Sequence, residues 1–370
     1  MIFKPQYKKP ILIAGNGARQ AEAVDMIHEF VKKTKIPLLT TMNGVDIAPD
    51  DLHIGFIGTH GNRIANMILR ECDLIVSVGA RLSLRQVGRY SANFAPQAHL
   101  VRADIDESEL SRNIKTDEDK YHTDARDFMR KLLDEPVGDF SAWKKQCLDA
   151  KAILDEYDKQ PGNKAVEAIG ALLPPNANVS VDVGMNQCWT AQSLVLKGYK
   201  GRIHISGGYG TMGCGLPYAI GSAIAKNGEP VYCIAGDGGF QMNIQELETV
   251  RRENLPIKIF VLNNRVLGKI SETQHFSHGD RLACTAVSGG YTVPNLVKIA
   301  GAYGIKSAKL SSYENLSDYK DWITDNEPCL FDIPLPENSL LTPKIKWETG
   351  KISPVISDDV VERVKSVLHQ

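Results

Sequence analysis

Apolar runs of strand length alternate with helical patterns along most of the chain. In the first third, residues 11–14, 37–41, 74–78 and 100–105 read as short buried strands, with an amphipathic helix over 21–33. A second series begins near residue 163. Residues 179–183, 231–235, 257–262 and 329–333 read as strands, and 163–172 and 293–303 as helices. Between 231–235 and 257–262, after the segment GDGGF, Asn243 is expected to cap a helix with Ile244, Leu247 and Val250 on one face. Asn254 and Pro256 stop it. Strand–helix–strand order requires parallel pairing. The pattern therefore predicts an α/β fold of two doubly wound domains with mainly parallel sheets. The expected organisation is a first domain over 1–135, a linker over 136–163 and a second domain over 164–336. An arm over 337–370 completes it. Glu135-Pro136-Val137-Gly138 breaks the first pattern, and a helix over 143–157 is read as crossing to the second domain.

Composition narrows the class without naming a chemistry. Of 370 residues, 43% are hydrophobic and 24% charged, and the net charge is −1. These values suit a globular chain with neither a nucleic-acid nor an anionic-membrane bias. No long uncharged apolar stretch suggests a membrane span. The start, MIFKPQYKKP, lacks the apolar core of a secretion signal. Seven cysteines without CxxC pairs suggest reduced thiols and a cytoplasmic setting. No repeat or low-complexity segment is evident.

Candidate chemistry lies between Asp237 and Asn264. Both are expected just past the carboxyl ends of neighbouring parallel strands, the edge where open α/β sheets bind ligands. Asp237 offers a carboxylate oxygen and Asn264 an amide oxygen. Mg²⁺ takes a few such oxygens, completed by phosphate and water. Gly238 and Gly239 allow close backbone approach to a phosphate at a helix start. The bland alternative is an ordinary strand-to-helix turn with a polar end.

GDG, a helix, then a strand ending in Asn263-Asn264 resembles the thiamin diphosphate (ThDP) motif. GGYGTMGCGLPYAIGSAIA (207–225) and DVGMNQCWTAQ (182–192) are similar to the matching segments of acetolactate synthase-like enzymes. The resemblance covers nearly the whole chain and implies ThDP and Mg²⁺ as cofactors. Metal ligands would be Asp237, Asn264 and the carbonyl of Val266. Gly184, Met185 and Asn186 fall where the family contacts the diphosphate, but acetolactate synthases usually carry Gly-Gln-His there. Met185 can contribute only backbone, while Asn186 can donate from its side chain or else serve as a helix N-cap. By the same resemblance, Gly210 accepts from the aminopyrimidine through its carbonyl, beside Thr211. Met212 is the bulky wedge between the two ThDP rings. Trp189 is expected in the core. Acetolactate synthases place a Trp five residues after the glycine matching Gly268, where this chain has Thr273. The following ETQ and aromatic look more like ThDP proteins of sugar and capsule gene clusters, which implies another acceptor, such as a keto sugar. Gln274 and His275 are substrate candidates, with a structural or solvated His275 as the alternative.

The first domain resembles the middle domain of the same enzymes. The positions matching their flavin site are Gly15, Gly17, Arg81, Arg85, Asp104 and Ile105, with the loop over 54–66. Arginine pairs suit a diphosphate. The family uses this domain for FAD, ADP or nothing, so FAD and a purely structural domain both stay open. The resemblance leaves the pyrimidine-binding domain unmatched, and with it the glutamate that activates ThDP. No catalytic residue is therefore assigned, and the isolated chain is expected to be inactive. A pyrimidine-binding partner, on another polypeptide or within a homo-oligomer, would complete the site. A truncated product and a non-catalytic ThDP- or nucleotide-binding remnant are the alternatives. The implied chemistry is decarboxylation of a 2-keto acid such as pyruvate with transfer of the two-carbon unit. Decarboxylation without an acceptor is its rival.

Overall fold

The computed structural model describes residues 1–48, 52–155, 157–194, 201–345 and 351–370. They form two compact units, Met1–Asp158 with Thr342–Gln370, and Lys159–Leu341.

The first unit is built on six parallel strands: β1 (Pro10–Ala14), β2 (Leu38–Thr40), β3 (His53–Phe56), β4 (Leu74–Val78), β5 (His99–Asp104) and β6 (Glu118–His122). Their order is β3-β2-β1-β4-β5-β6. Alternate residues bury on opposite faces. Ile11, Ile13, Leu39, Ile75 and Leu100 join one core, and Leu12, Leu38, Val76 and Val101 join the other. Burial on both faces is why these strands read as unbroken apolar runs.

The second unit has six parallel strands as well: β7 (Asn178–Val181), β8 (Arg202–Ile205), β9 (Val231–Gly236), β10 (Ile257–Asn263), β11 (Lys306–Lys309) and β12 (Cys329–Pro334). Their order is β11-β12-β10-β9-β7-β8. Cys233, Ala235, Ile259 and Val261 pack under Leu216 and Ala219 of helix Gly215–Ala225.

Two expectations change here. The segment read as a crossing linker is helix Ser141–Leu154, and it is a layer of the first unit. Trp143, Cys147, Ala150 and Leu154 recur on one face and bury in the core that holds Ile11 and Ile75. The Trp143 indole also donates to the Pro10 carbonyl at 3.1 Å. The segment read as one arm is divided. Thr342–Gln370 belongs to the first unit, where helix Asp358–Leu368 buries Val360, Val364 and Leu368 in that same core. Residues 346–350 of that arm lie outside the described residues. Among the described residues, no helix is long and apolar enough to cross a membrane.

Candidate functional site

Strand order in the second sheet reverses between β7 and β9, which opens a crevice at their carboxyl ends. Gly236 pairs with Leu262, so Asp237 and Asn263-Asn264 leave β9 and β10 side by side.

Asp237 is 2% exposed. Its Oδ1 accepts the Gly238 N–H at 2.9 Å, and the Arg265 N–H also reaches the carboxylate. Its Oδ2 is buried without a partner. Burial pushes the carboxyl up to about 7; the backbone N–H groups oppose this and nearby Asp332 adds to it. A buried carboxylate oxygen in this state calls for a cation. Asn264 and Val266 are buried beside it, and the Val266 N–H reaches Asn264 Oδ1 at 3.3 Å. Arg265, between them, is held at φ 57°, a left-handed conformation that costs a long side chain about 1 kcal/mol or more. That turn wraps residues 264–266 around the carboxylate. One carboxylate, one amide oxygen and one carbonyl fit Mg²⁺ whose remaining ligands come from water and a phosphorylated ligand. Among the described residues, no group of three His, Cys, Asp or Glu could hold a metal by itself.

Three segments converge on Gly238. A Cβ there would lie 2.4 Å from Leu267 Cδ2, 2.9 Å from Tyr291 Oη and 3.2 Å from Met212 Cε. Met212 therefore stands over the GDGG turn. A Cβ on Gly239 would lie 2.6 Å from Asp182 Oδ1. The helix begins at Asp237 itself and spans only Asp237–Met242. A helix this short adds little dipole for an anion. The segment expected after Asn243 is a 3-10 turn, Ile244–Glu246, followed by helix Leu247–Arg252. Asn243 stands at its N-cap position without a side-chain capping bond, and its amide donates to the Gly213 carbonyl at 2.7 Å.

Asp182 is a residue that sequence reasoning passed over. Fully buried at the end of β7, it accepts the N–H groups of Gly213 at 2.9 Å and Gly215 at 2.8 Å. It thereby fixes the loop that carries Gly210, Thr211 and Met212. Gly210 and Gly213 in that loop need φ 67° and φ 88°. The available signal was an acid directly after an apolar strand, with two glycines spaced to bring their N–H groups to one carboxylate.

Gly184 begins helix Met185–Ser193 at φ 152°. Met185 is buried, and a Cβ on Gly268 would lie 2.6 Å from its sulfur. Asn186 is buried too. Its Nδ2 donates to the Asp182 carbonyl at 2.7 Å and the Ile234 carbonyl at 3.5 Å. The shorter bond ties the Asn186 amide to the end of β7. The N-cap alternative foreseen for Asn186 is unmet because Gly184 holds that position. Trp189 is buried in the core over Gly162, as expected.

Gln274 and His275 sit on helix Gly268–Ser277, which has no buried residue. Gln274 accepts from the Thr285 hydroxyl and donates to the Ala283 carbonyl at 3.3 Å. His275 pairs with Asp280 and stands edge-on to Phe276 at 4.8 Å.

The candidates of the first unit collect at the carboxyl ends of β1, β4 and β5. A Cβ on Gly15 would lie 2.2 Å from the Gly79 carbonyl oxygen, and one on Gly17 would lie 2.8 Å from it. These glycines are therefore required by backbone packing on backbone. Arg81 is exposed and paired with Glu109 at 2.6 Å. Arg85 is exposed, and its carbonyl accepts the Thr59 N–H at 2.7 Å. Asp104 accepts the Asp106 N–H at 3.0 Å, and Ile105 is 68% exposed. The loop read over 54–66 contains most of β3 and the start of helix Arg63–Glu71.

Residues 5–132 match the family model described as thiamine pyrophosphate enzyme, central domain. Residues 182–333 match the one described as thiamine pyrophosphate enzyme, C-terminal TPP binding domain. The chain is 33% identical over 346 residues to a probable acetolactate synthase large subunit of Methanocaldococcus jannaschii, covering 88% of this chain and 57% of that protein. It is 34% identical over 348 residues to the acetolactate synthase large subunit of Lactococcus lactis, covering 91% and 59%. With acetolactate synthase isozyme 2 large subunit of Escherichia coli, identity is 31% over 351 residues, covering 91% and 61%. The chain thus spans less than two thirds of the length of these relatives.

Proposed function

The chain belongs to the thiamine pyrophosphate enzyme family, whose central and C-terminal TPP binding domains it carries, and on that premise we propose that it forms the ThDP- and Mg²⁺-binding part of an acetolactate synthase-like enzyme. The reaction proposed is decarboxylation of a 2-keto acid such as pyruvate, with transfer of the two-carbon unit to an acceptor. Thr273, where acetolactate synthases carry Trp, supports a different acceptor, and a keto sugar is the one proposed. Bound ThDP supplies the electron sink for this carbon chemistry.

The residues of this chain hold and orient. Asp237, Asn264 and the Val266 carbonyl take Mg²⁺. Gly238 and Gly239 admit the diphosphate to the turn, and Gly184, Met185 and Asn186 form the β7 wall of the crevice. Met212 over the turn is the wedge that keeps the cofactor folded. The carbonyl of Gly210, next to Thr211, receives the aminopyrimidine. Gln274 and His275 lie on the helix proposed to face substrate. The activating glutamate comes from a pyrimidine-binding domain outside these two domains. Free cysteines support work in the cytoplasm.

The observation that carries this reading is the buried, unpartnered Oδ2 of Asp237 among oxygens suited to Mg²⁺. FAD is proposed only as an occupant of the first unit's strand edge, with no step routed through it, and visible absorbance of the purified protein is its readout. The functional test is CO₂ release from pyruvate by the chain mixed with a pyrimidine-binding polypeptide encoded beside it. Release by the mixture is expected. No release from the mixture would refute the reading.

A further inference from the structure

We infer that Tyr291 binds the diphosphate of the cofactor, donating its phenolic hydrogen to a phosphate oxygen beside Asp237. The inference rests on the ThDP reading of the same crevice and adds a residue to it. A diphosphate held through Mg²⁺ still presents charged oxygens that need hydrogen-bond donors. The β7 wall offers few side-chain donors. Met185 has none, and the Asn186 amide already donates to the Asp182 carbonyl at 2.7 Å.

The opposite side supplies one. The Tyr291 hydroxyl is closed off from solvent, and Gln241 approaches it without forming a hydrogen bond of good geometry. It lies 2.9 Å from where a Cβ on Gly238 would be. The GDGG turn therefore carries an unsatisfied acceptor, Asp237 Oδ2, and an unsatisfied donor, Tyr291 Oη. One ligand meets both needs, with its cation at the carboxylate and a phosphate oxygen at the phenol. Burial pushes the phenol pKa upward, which keeps it a donor. The position is built. The Tyr291 N–H bonds the Ala286 carbonyl at 3.0 Å, and the Leu267 N–H bonds the Thr285 carbonyl at 2.8 Å. Gln274 anchors Ala283 and Thr285 on the preceding helix.

The test is calorimetric titration of the full chain and its Tyr291→Phe variant with ThDP, and separately with inorganic pyrophosphate, both with Mg²⁺. Phe keeps the ring over Gly238, so the melting temperature should hold. Both ligands should bind about tenfold more weakly to the variant. Pyrophosphate should also perturb the tyrosine absorbance of the unsubstituted chain, and this signal should be lost in the variant. Equal affinities would overturn the role of Tyr291 and leave the ThDP reading intact. So would weaker binding accompanied by an unchanged tyrosine signal. Absence of Mg²⁺-dependent binding to the unsubstituted chain would bring down the ThDP reading, and this inference with it.

Discussion

Both sheets reverse strand order once near the middle, between β1 and β4 in the first unit and between β7 and β9 in the second. At the first reversal the turns close on themselves. Gly15 and Gly17 press on the Gly79 carbonyl, and Arg81 pairs with Glu109. Among the described residues, positions 15–17 and 79–81 hold no buried, unpartnered side-chain polar atom, although Ser77 Oγ within β4 is one. At the second reversal Asp182 is satisfied by two backbone N–H groups, while Asp237 keeps one oxygen without a partner. The same topology thus yields a junction packed backbone on backbone in one unit and a buried, unpartnered carboxylate oxygen in the other. Topology says where a site can be, and unmet hydrogen-bonding capacity says whether one is there.

The largest expected difference is in stability against pH. The native Asp237 carboxyl holds its proton up to about pH 7, whereas an unfolded one releases it near 3.8. In that window the native state binds more protons than the unfolded state. Stability of the ligand-free second unit therefore falls as pH rises through it, by up to about 4 kcal/mol, and levels off above it. Burial pushes the Asp182 carboxyl in the same direction. Urea unfolding of the chain and of Asp237→Asn across this range measures the difference. Equal slopes for the two would break the contrast between the junctions.

Gly15→Ala comes next. Its Cβ would meet the Gly79 carbonyl oxygen at 2.2 Å, so it should cost about 3 kcal/mol of first-unit stability. ThDP affinity should not change, because the first junction takes no part in the site. A loss of affinity without a loss of stability would contradict that separation. Asp182→Ala should be intermediate, costing about 2 kcal/mol by stranding the N–H groups of Gly213 and Gly215. It should also weaken ThDP binding by loosening the loop that holds Met212, which titration alongside melting would reveal. Arg81→Ala should be smallest, within about 1 kcal/mol, since its ion pair is exposed. A large effect of Arg81→Ala on stability or ThDP binding would break the contrast between the two junctions.

Central strands were legible in the sequence, and the four edge strands were not. β4 stands where the apolar run placed it, because burial on both faces favours apolar residues, with Ser77 its one polar member. β3, β6, β8 and β11 are the sheet edges and went unread. β6 and β11, with EDKYH and KSAK, carry the polar residues that protect an open edge and erase the apolar signal. Helix Ser141–Leu154 was found but assigned to a crossing, because its stripe shows that it packs and not what it packs on. The candidate site was legible where one motif holds its parts, as in Asp237 with Gly238. Asp182 and Tyr291 were not, because their partners lie tens of residues away in sequence. Asn186 was read as a donor to phosphate, since only the folded chain shows its amide already engaged.

The most direct measurement is ThDP titration of the purified chain with and without Mg²⁺, alongside Asp237→Ala. Saturable, Mg²⁺-dependent binding to the unsubstituted chain is expected, with binding weakened about a hundredfold in a variant that stays folded. Binding that ignores Mg²⁺, or that survives Asp237→Ala unchanged, would contradict it.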